Sequence, residues 1–143
     1  MNQFVAKKYL GQHFLQDNNI ACKIVSALRD RSYPLVEIGP GTGALTKLLV
    51  NRHPHLYLVE IDESLVVHLK RSYPSLQHHI LSADFLQLSI NQYWQGPIAI
   101  IGNFPYNISS QIFFKVLAHR QQVQEVVGMV QREVAERLVA PPG

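Results

Sequence analysis

The segment Leu35-Val36-Glu37-Ile38-Gly39-Pro40-Gly41-Thr42-Gly43 constrains the fold of this chain more than any other. A short apolar run of strand character enters three alternating glycines, and a stretch of helical periodicity follows from Gly43 to Asn51. A strand that turns straight into a helix has to be carried back over its own sheet, which makes this a βα unit of a parallel sheet. Glycine at the turn lets the backbone come close to a ligand at the helix N-terminus, where N–H groups lack partners. A nucleoside cofactor suits such a turn. Gly39, Gly41 and Ala44 also satisfy the loose GxGxxG/A fingerprint of dinucleotide sites, so the glycines by themselves leave NAD open.

Strand-like and helix-like segments alternate along the rest of the chain, the pattern of a doubly wound α/β fold. After an irregular N-terminal stretch, Asn18 to Arg29 carries Ile20, Ile24, Val25 and Leu28 at helical spacing behind a candidate N-cap, Asp17, and Pro34 forbids its continuation. Strands are expected at Leu35–Ile38, Leu56–Glu60, Gln77–Leu81, Ile98–Gly102 and Glu125–Val130. Further helices are expected from Asp62 to about Arg71, over Ser109–Ala118 and over Gln131–Val139. Connections are short and no internal repeat is present, as in one compact domain.

Composition narrows the function classes. The 143 residues are 47% hydrophobic and 16% charged, enough for one core, and the formal charge of +3 is compatible with a polyanionic partner without demanding one. Lys7, Lys8, Arg29, Arg31, Arg71 and Arg120 are candidates for phosphate contact. The single cysteine, Cys22, excludes a disulfide framework and a thiolate metal cluster, and is expected to be a buried small hydrophobe. None of the seven histidines falls in an HExxH or Cys/His spacing, so no metal site is expected, and His78 and His79 would point to opposite faces of a strand. Met1 to Leu10 lacks an apolar stretch of signal-peptide length, and no run approaches the ~20 apolar residues of a membrane span, which points to the cytosol.

In a doubly wound sheet ligands sit beyond the carboxyl ends of the strands, where Glu37, Glu60, Asp84 and Asn103 are all expected. Glu60 lies about twenty residues after the glycines, the place of a carboxylate that accepts from ribose hydroxyls. Asp84 can accept from an adenine amine. Each carboxylate alone could be an N-cap or a surface charge, since Asp62 and Asp84 both stand near helix or turn starts; together they fit a nucleotide crevice. The tetrapeptide Asn103-Phe104-Pro105-Tyr106 then offers an amide oxygen and a backbone carbonyl for an exocyclic NH2, and a tyrosine face on which a base can stack. Those are the needs of an enzyme that alkylates N6 of adenine. A dehydrogenase would also need a hydride-transfer site, for which these four residues offer no proton donor beyond the Tyr106 hydroxyl.

Six motifs, in order, make the chain resemble the ribosomal RNA adenine N6,N6-dimethyltransferases of the kasugamycin-resistance type. They are Tyr9-Leu10-Gly11-Gln12-His13-Phe14-Leu15, Val36 to Gly43, Val59-Glu60-Ile61-Asp62, Ala83-Asp84, Asn103-Phe104-Pro105-Tyr106-Asn107-Ile108-Ser109 and Val130-Gln131-Arg132-Glu133-Val134-Ala135. The resemblance implies a Rossmann-like class I S-adenosylmethionine-dependent methyltransferase fold with a mostly parallel sheet. It implies that His13 and Leu15 close over the cofactor with Gln12 beside them, that Gly39 and Gly41 approach its methionine part, and that Glu37 and Ile61 also belong to the cofactor site. Glu60 would hold the ribose, Asp84 the adenine amine, and Phe85 would lie beside the ring. Asn103 would stand between cofactor and target base, the Pro105 carbonyl would help fix the target amine, and Tyr106 would stack on the base. The implied reaction is dimethylation of two neighbouring adenosines near the 3′ end of small-subunit (16S) ribosomal RNA during ribosome assembly.

Members of that family continue for roughly another hundred residues beyond Gly143, a common domain size. By resemblance, a truncated chain would lack the last edge strands of the sheet, a Phe-containing loop facing the target base and a C-terminal helical domain that grips RNA. The apolar run Val126-Val127-Gly128-Met129-Val130 would then form an open sheet edge, a template for self-association. Two other readings keep the same fold: a DNA adenine N6-methyltransferase, since the Asn103 site recognises the amine rather than the sugar, and a non-catalytic RNA-binding assembly factor.

Overall fold

The computed structural model describes residues 5–10, 18–29, 32–104 and 108–130. Its strands are β1 (Val5–Leu10), β2 (Leu35–Ile38), β3 (Leu56–Glu60), β4 (Ile80–Ser82), β5 (Ile98–Asn103) and β6 (Val123–Val130). Its helices are α1 (Asn18–Ser26), α2 (Thr46–Leu49), α3 (Glu63–Ser72), α4 (Ile90–Tyr93) and α5 (Ser109–Ala118). The strands form one sheet in the order β1-β6-β5-β2-β3-β4, with every pair parallel.

A parallel sheet covered on both faces needs strands that are apolar throughout, and Leu35-Val36-Glu37-Ile38 and Ile98-Ala99-Ile100-Ile101-Gly102 are buried at every position. Alternation divides their side chains between two cores. Leu35, Leu58, Ala99, Ile101 and Val127 pack against Ile24 of α1, Leu49 of α2 and Leu69 of α3. Val36, Val59, Ile98, Ile100 and Val126 pack against Ile90 of α4 and against Ile112 and Val116 of α5. Each Val, Leu or Ile side chain among them, fully buried, contributes about 1.5–3 kcal/mol.

This division fixes where a ligand can bind. The connections from β2 to β3 and from β3 to β4 run over the first face, and those leading to and from β5 run over the second. The neighbours β2 and β5 therefore send their chains to opposite sides, which opens a crevice beyond their carboxyl ends. Gly39 leaves β2 at that point and Asn103 ends β5 there.

Several expectations from sequence need correction. Residues 5–10 are not irregular: β1 runs parallel to β6, from Val5 opposite Glu125 to Leu10 opposite Val130. The row of N–H and C=O groups along β6 needs partners, and this extended segment supplies them. The edge expected to stay open at Val126–Val130 is therefore covered by β1. The strand expected at Gln77–Leu81 begins only at Ile80, because Pro74 opens a 3-10 helix over Pro74–His79. Within it His79 stacks on Tyr57, with centroids 4.1 Å apart, and its Nδ1 lies 3.0 Å from the Leu56 carbonyl oxygen, so His78 and His79 do not alternate across a strand.

Cys22 is exposed, since Ala21, Ile24 and Val25 take the buried side of α1. The helix expected over Gly43–Asn51 is regular only over α2, with turns on either side, and α4 was not expected at all. Arg29, a phosphate candidate, sits 3.6 Å from the fully buried Glu125 through its Nε, while its backbone N–H donates to the same carboxylate at 3.1 Å. That pair ties the end of α1 to β6. Asp17 and the expected helix Gln131–Val139 lie outside the described residues. No helix among the described residues is long and apolar enough to cross a membrane.

Candidate functional site

The loop after β2 holds three glycines at positive φ, Gly39 at 64°, Gly41 at 60° and Gly43 at 97°, a region that L side chains enter at a cost. Gly39 donates its N–H to the Val59 carbonyl at 2.8 Å, and a Cβ on it would meet nothing within 4 Å. The backbone is thus held from behind and bare in front. Gly41 donates its N–H to Glu60 Oε1 at 3.0 Å, and Asp62 donates its N–H to Oε2 at 3.0 Å. The Glu60 carboxylate thereby ties the glycine loop to the corner between β3 and α3, and each oxygen keeps a second lone pair for a ligand hydroxyl. Asp62 itself caps α3, accepting from the backbone N–H groups of Ser64 and Leu65; the Ser64 hydroxyl and these N–H groups hold its carboxyl below the usual range.

Glu37 lies underneath the loop rather than on its open face. It is 1% exposed, and the Thr46 hydroxyl at the start of α2 donates to its Oε1 at 2.6 Å. Burial pushes the carboxyl pKa up to about 8; the Thr46 bond pulls the other way, and the charge of Glu60 adds to the rise. Tyr73 is also pushed up, by burial and then by Glu37.

A cavity of about 350 Å³ opens at the carboxyl ends of β2, β3 and β4. This falls within the ~300–1,000 Å³ usual for small-molecule sites. Glu60 and Asp84 provide its acidic groups, Gly39 its bare backbone, and Ile61, Phe85, Ile108 and Ile112 much of its apolar wall. Asp84 Oδ1 accepts from the Leu86 N–H at 3.0 Å, and its backbone carbonyl accepts from Gln87 and Leu88, which folds residues 84–88 into a compact turn. Lys115 of α5 fastens that turn. Its Nζ donates to the Phe85 carbonyl at 2.5 Å and to the Leu88 carbonyl, and it lies 4.9 Å from the centroid of the Phe85 ring. Partial burial lowers the Lys115 pKa, while the negative charge of Asp84 works against that lowering.

Of the residues expected from sequence, Gly39, Glu60, Ile61, Asp84 and Phe85 line this one cavity. Gly41 touches it through Glu60, and Glu37 lies buried below. Asn103 ends β5 at the crevice but is not in the cavity wall. Gln12, His13, Leu15, Pro105 and Tyr106 lie outside the described residues. Sequence reasoning missed Thr46, Ile108, Ile112 and Lys115. The signal for the last three was present: they stand at i, i+4 and i+7 along one stripe at the start of α5 and its approach.

Residues 3–143 match the family described as Ribosomal RNA adenine dimethylase. The ribosomal RNA small subunit methyltransferase A of Parabacteroides distasonis is 49% identical over 138 residues, which cover 96% of this chain and 52% of that protein. Its counterpart in Flavobacterium johnsoniae is 48% identical over 145 residues, covering 100% of this chain and 56% of the relative. Among solved structures, a dimethyladenosine transferase from Plasmodium falciparum superposes with a TM-score of 0.71 at 28% identity, covering 93% of this chain and 47% of that one. The 23S rRNA methyltransferase ErmE does so with a TM-score of 0.65 at 28% identity, covering 90% and 50%. The chain thus spans about half the length of the curated relatives it matches. A match over nearly every residue shows that the chain belongs to the ribosomal RNA adenine dimethylase family.

Proposed function

We propose that this chain provides the cofactor-binding and transfer half of an enzyme that dimethylates N6 of adenosine in small-subunit ribosomal RNA. The observation that carries the proposal is the cavity in which Glu60 and Asp84 converge from two strand ends onto one apolar slot beside the bare backbone of Gly39. These residues fit S-adenosylmethionine. Glu60 has lone pairs to accept from ribose hydroxyls, Asp84 Oδ2 accepts no hydrogen bond among the described residues and can take an adenine amine, and Phe85 and Ile61 offer apolar contact. When bound there, the cofactor supplies an electrophilic methyl group on a sulfonium.

The protein then has to orient and to exclude water, because such a methyl needs alignment more than activation. Asn103, at the end of β5 beside the crevice, is assigned to accept a hydrogen bond from the target N6 amine through its amide oxygen; the Pro105 carbonyl and the Tyr106 ring are assigned to complete the base site. The ribosomal target, two neighbouring adenosines near the 3′ end of 16S RNA, and work in the cytoplasm where subunits are assembled, are proposed from family membership.

The test is transfer of labelled methyl groups from S-adenosylmethionine to unmethylated small ribosomal subunits, read as N6,N6-dimethyladenosine. Asn103→Ala should lower transfer by about 10²-fold while leaving cofactor affinity close to that of the parent. Equal losses of transfer and affinity would overturn its role in holding the amine. Cofactor binding by the parent without any label in the RNA would overturn the transfer part of the proposal.

A further inference from the structure

Phe104 follows Asn103 directly and is 2% exposed, so whatever holds its ring also holds the end of β5. The ring lies across two glycines that are register partners on adjacent strands, Gly102 of β5 and Gly128 of β6. A Cβ on Gly102 would stand 3.0 Å from Phe104 Cε1 and 2.6 Å from the Ile38 carbonyl oxygen. A Cβ on Gly128 would stand 2.2 Å from Cε2, 2.8 Å from Cδ2 and 3.0 Å from Cζ. One edge of the ring therefore sits over each glycine. Phe113 of α5 meets the ring edge-on, with centroids 5.6 Å apart and planes at 88°. Gly128 carries no positive φ, so backbone conformation does not demand glycine there; the space taken by Phe104 does.

We propose that Gly128 is a positioning residue: by leaving room for the Phe104 ring it sets where β5 ends and where Asn103 carries its amide. The functional meaning of that placement rests on the proposed role of Asn103 in holding the target amine. A methyl group at position 128 falls short of ordinary contact by 1.2 Å (3.4 minus 2.2 Å) against Cε2. Phe104 is buried and meets Phe113 edge-on, so moving the ring away disturbs packed neighbours, and on this proposal part of the displacement passes into the backbone at Phe104 and Asn103. Gly128 is the cleaner probe of the two glycines, because its three nearest atoms all belong to Phe104, whereas Gly102 also faces the backbone of β2.

The experiment is a two-residue cycle on the full chain with Gly128→Ala, Phe104→Leu and the double variant. The side-chain amide signal of Asn103 is followed by NMR, assigned by its loss in Asn103→Ser. Leucine has no atoms equivalent to Cε2 and Cζ, which removes the shortest contact, and its remaining Cδ atoms can turn about χ2 away from the new methyl. Gly128→Ala should move the Asn103 signal and lower Tm by roughly 3–10 °C, and adding Phe104→Leu should bring the signal back toward that of Phe104→Leu alone. A signal unmoved by Gly128→Ala, or moved and not restored in the double variant, would overturn the proposal. If Gly128→Ala does not fold, a double variant as stable as Phe104→Leu still supports the coupling, and one that also fails to fold sinks it.

Methyl transfer is then read separately. A loss of about 10²-fold in Gly128→Ala that is recovered in the double variant joins position to function. A signal restored in the double variant, with a parent chain that transfers nothing, supports the positioning and counts only against the role given to Asn103.

Discussion

Replacing Glu37 by Gln changes the charge beneath the glycine loop without changing its shape. The Glu37 carboxyl is buried, bonded to Thr46 at 2.6 Å, and raised from 4.5 to about 8. Between those two values the native state holds a proton that the unfolded chain has released. By linkage, the unfolding free energy contributed by this group then falls as pH rises, at about 1.4 kcal/mol per pH unit. The contribution is whole below the unfolded value of 4.5, shrinks across the interval, and is lost once pH has passed through about 8. Over the 3.5 units between them (8 minus 4.5) the loss reaches about 5 kcal/mol, comparable to the whole stability of a marginal domain. Gln does not titrate and can still accept from Thr46. Urea unfolding of parent and Glu37→Gln from about pH 5 to about pH 9 gives the difference directly, because groups that do not interact with Glu37 cancel. The parent should lose stability relative to the variant with a slope near one proton and level off above about pH 8. A flat difference would refute the reasoning, since it would mean that the buried carboxyl titrates as it does in the unfolded chain.

Lys115→Met keeps the length of the side chain and removes its bonds to the Phe85 and Leu88 carbonyls; S-adenosylmethionine should bind roughly tenfold more weakly by calorimetry, with partial recovery in Lys115→Arg. Unchanged affinity would remove Lys115 from the support of the cavity. Glu60→Gln replaces one accepting oxygen by an NH2 group, so the N–H of either Gly41 or Asp62 loses its acceptor and Tm should fall by about 2–8 °C. An unaltered Tm would mean that these two bonds do not hold the loop.

What could be read in the sequence follows the range of the forces involved. The strand β2 with its glycine turn, the continuous apolar runs of β5 and β6 and the ten residues of α5 are local patterns and appear where expected, whereas the helix after the glycines is shorter than its periodicity predicts. Glu60 and Asp84 were expected in one crevice because strand ends in a parallel sheet share one edge, and both line the cavity; Ile61 and Phe85, which only the resemblance implied, line it beside them. Features set by contacts distant in sequence were not legible. The pairing of β1 with β6 joins residues more than a hundred positions apart in the chain, and no local pattern marks it. The late start of β4 follows from Pro74, a local signal, whereas the contacts of His79 with Tyr57 and the Leu56 carbonyl on the neighbouring strand have no mark in the sequence. The stripe Ile108, Ile112 and Lys115 could be read from its spacing, but not that Lys115 reaches Phe85 and Leu88 some thirty residues away, and Gly128 reads as an ordinary glycine in a strand until the Phe104 ring is seen lying on it.

Calorimetric titration of the chain with S-adenosylmethionine, with NADH as the control and Asp84→Ala as the variant, decides most directly what the cavity is for. Saturable binding of S-adenosylmethionine and none of NADH is expected, with affinity lowered about 5- to 150-fold in Asp84→Ala by loss of one buried hydrogen bond. No binding of S-adenosylmethionine, or binding untouched by Asp84→Ala, would contradict the assignment of the cavity between Glu60 and Asp84 to the cofactor.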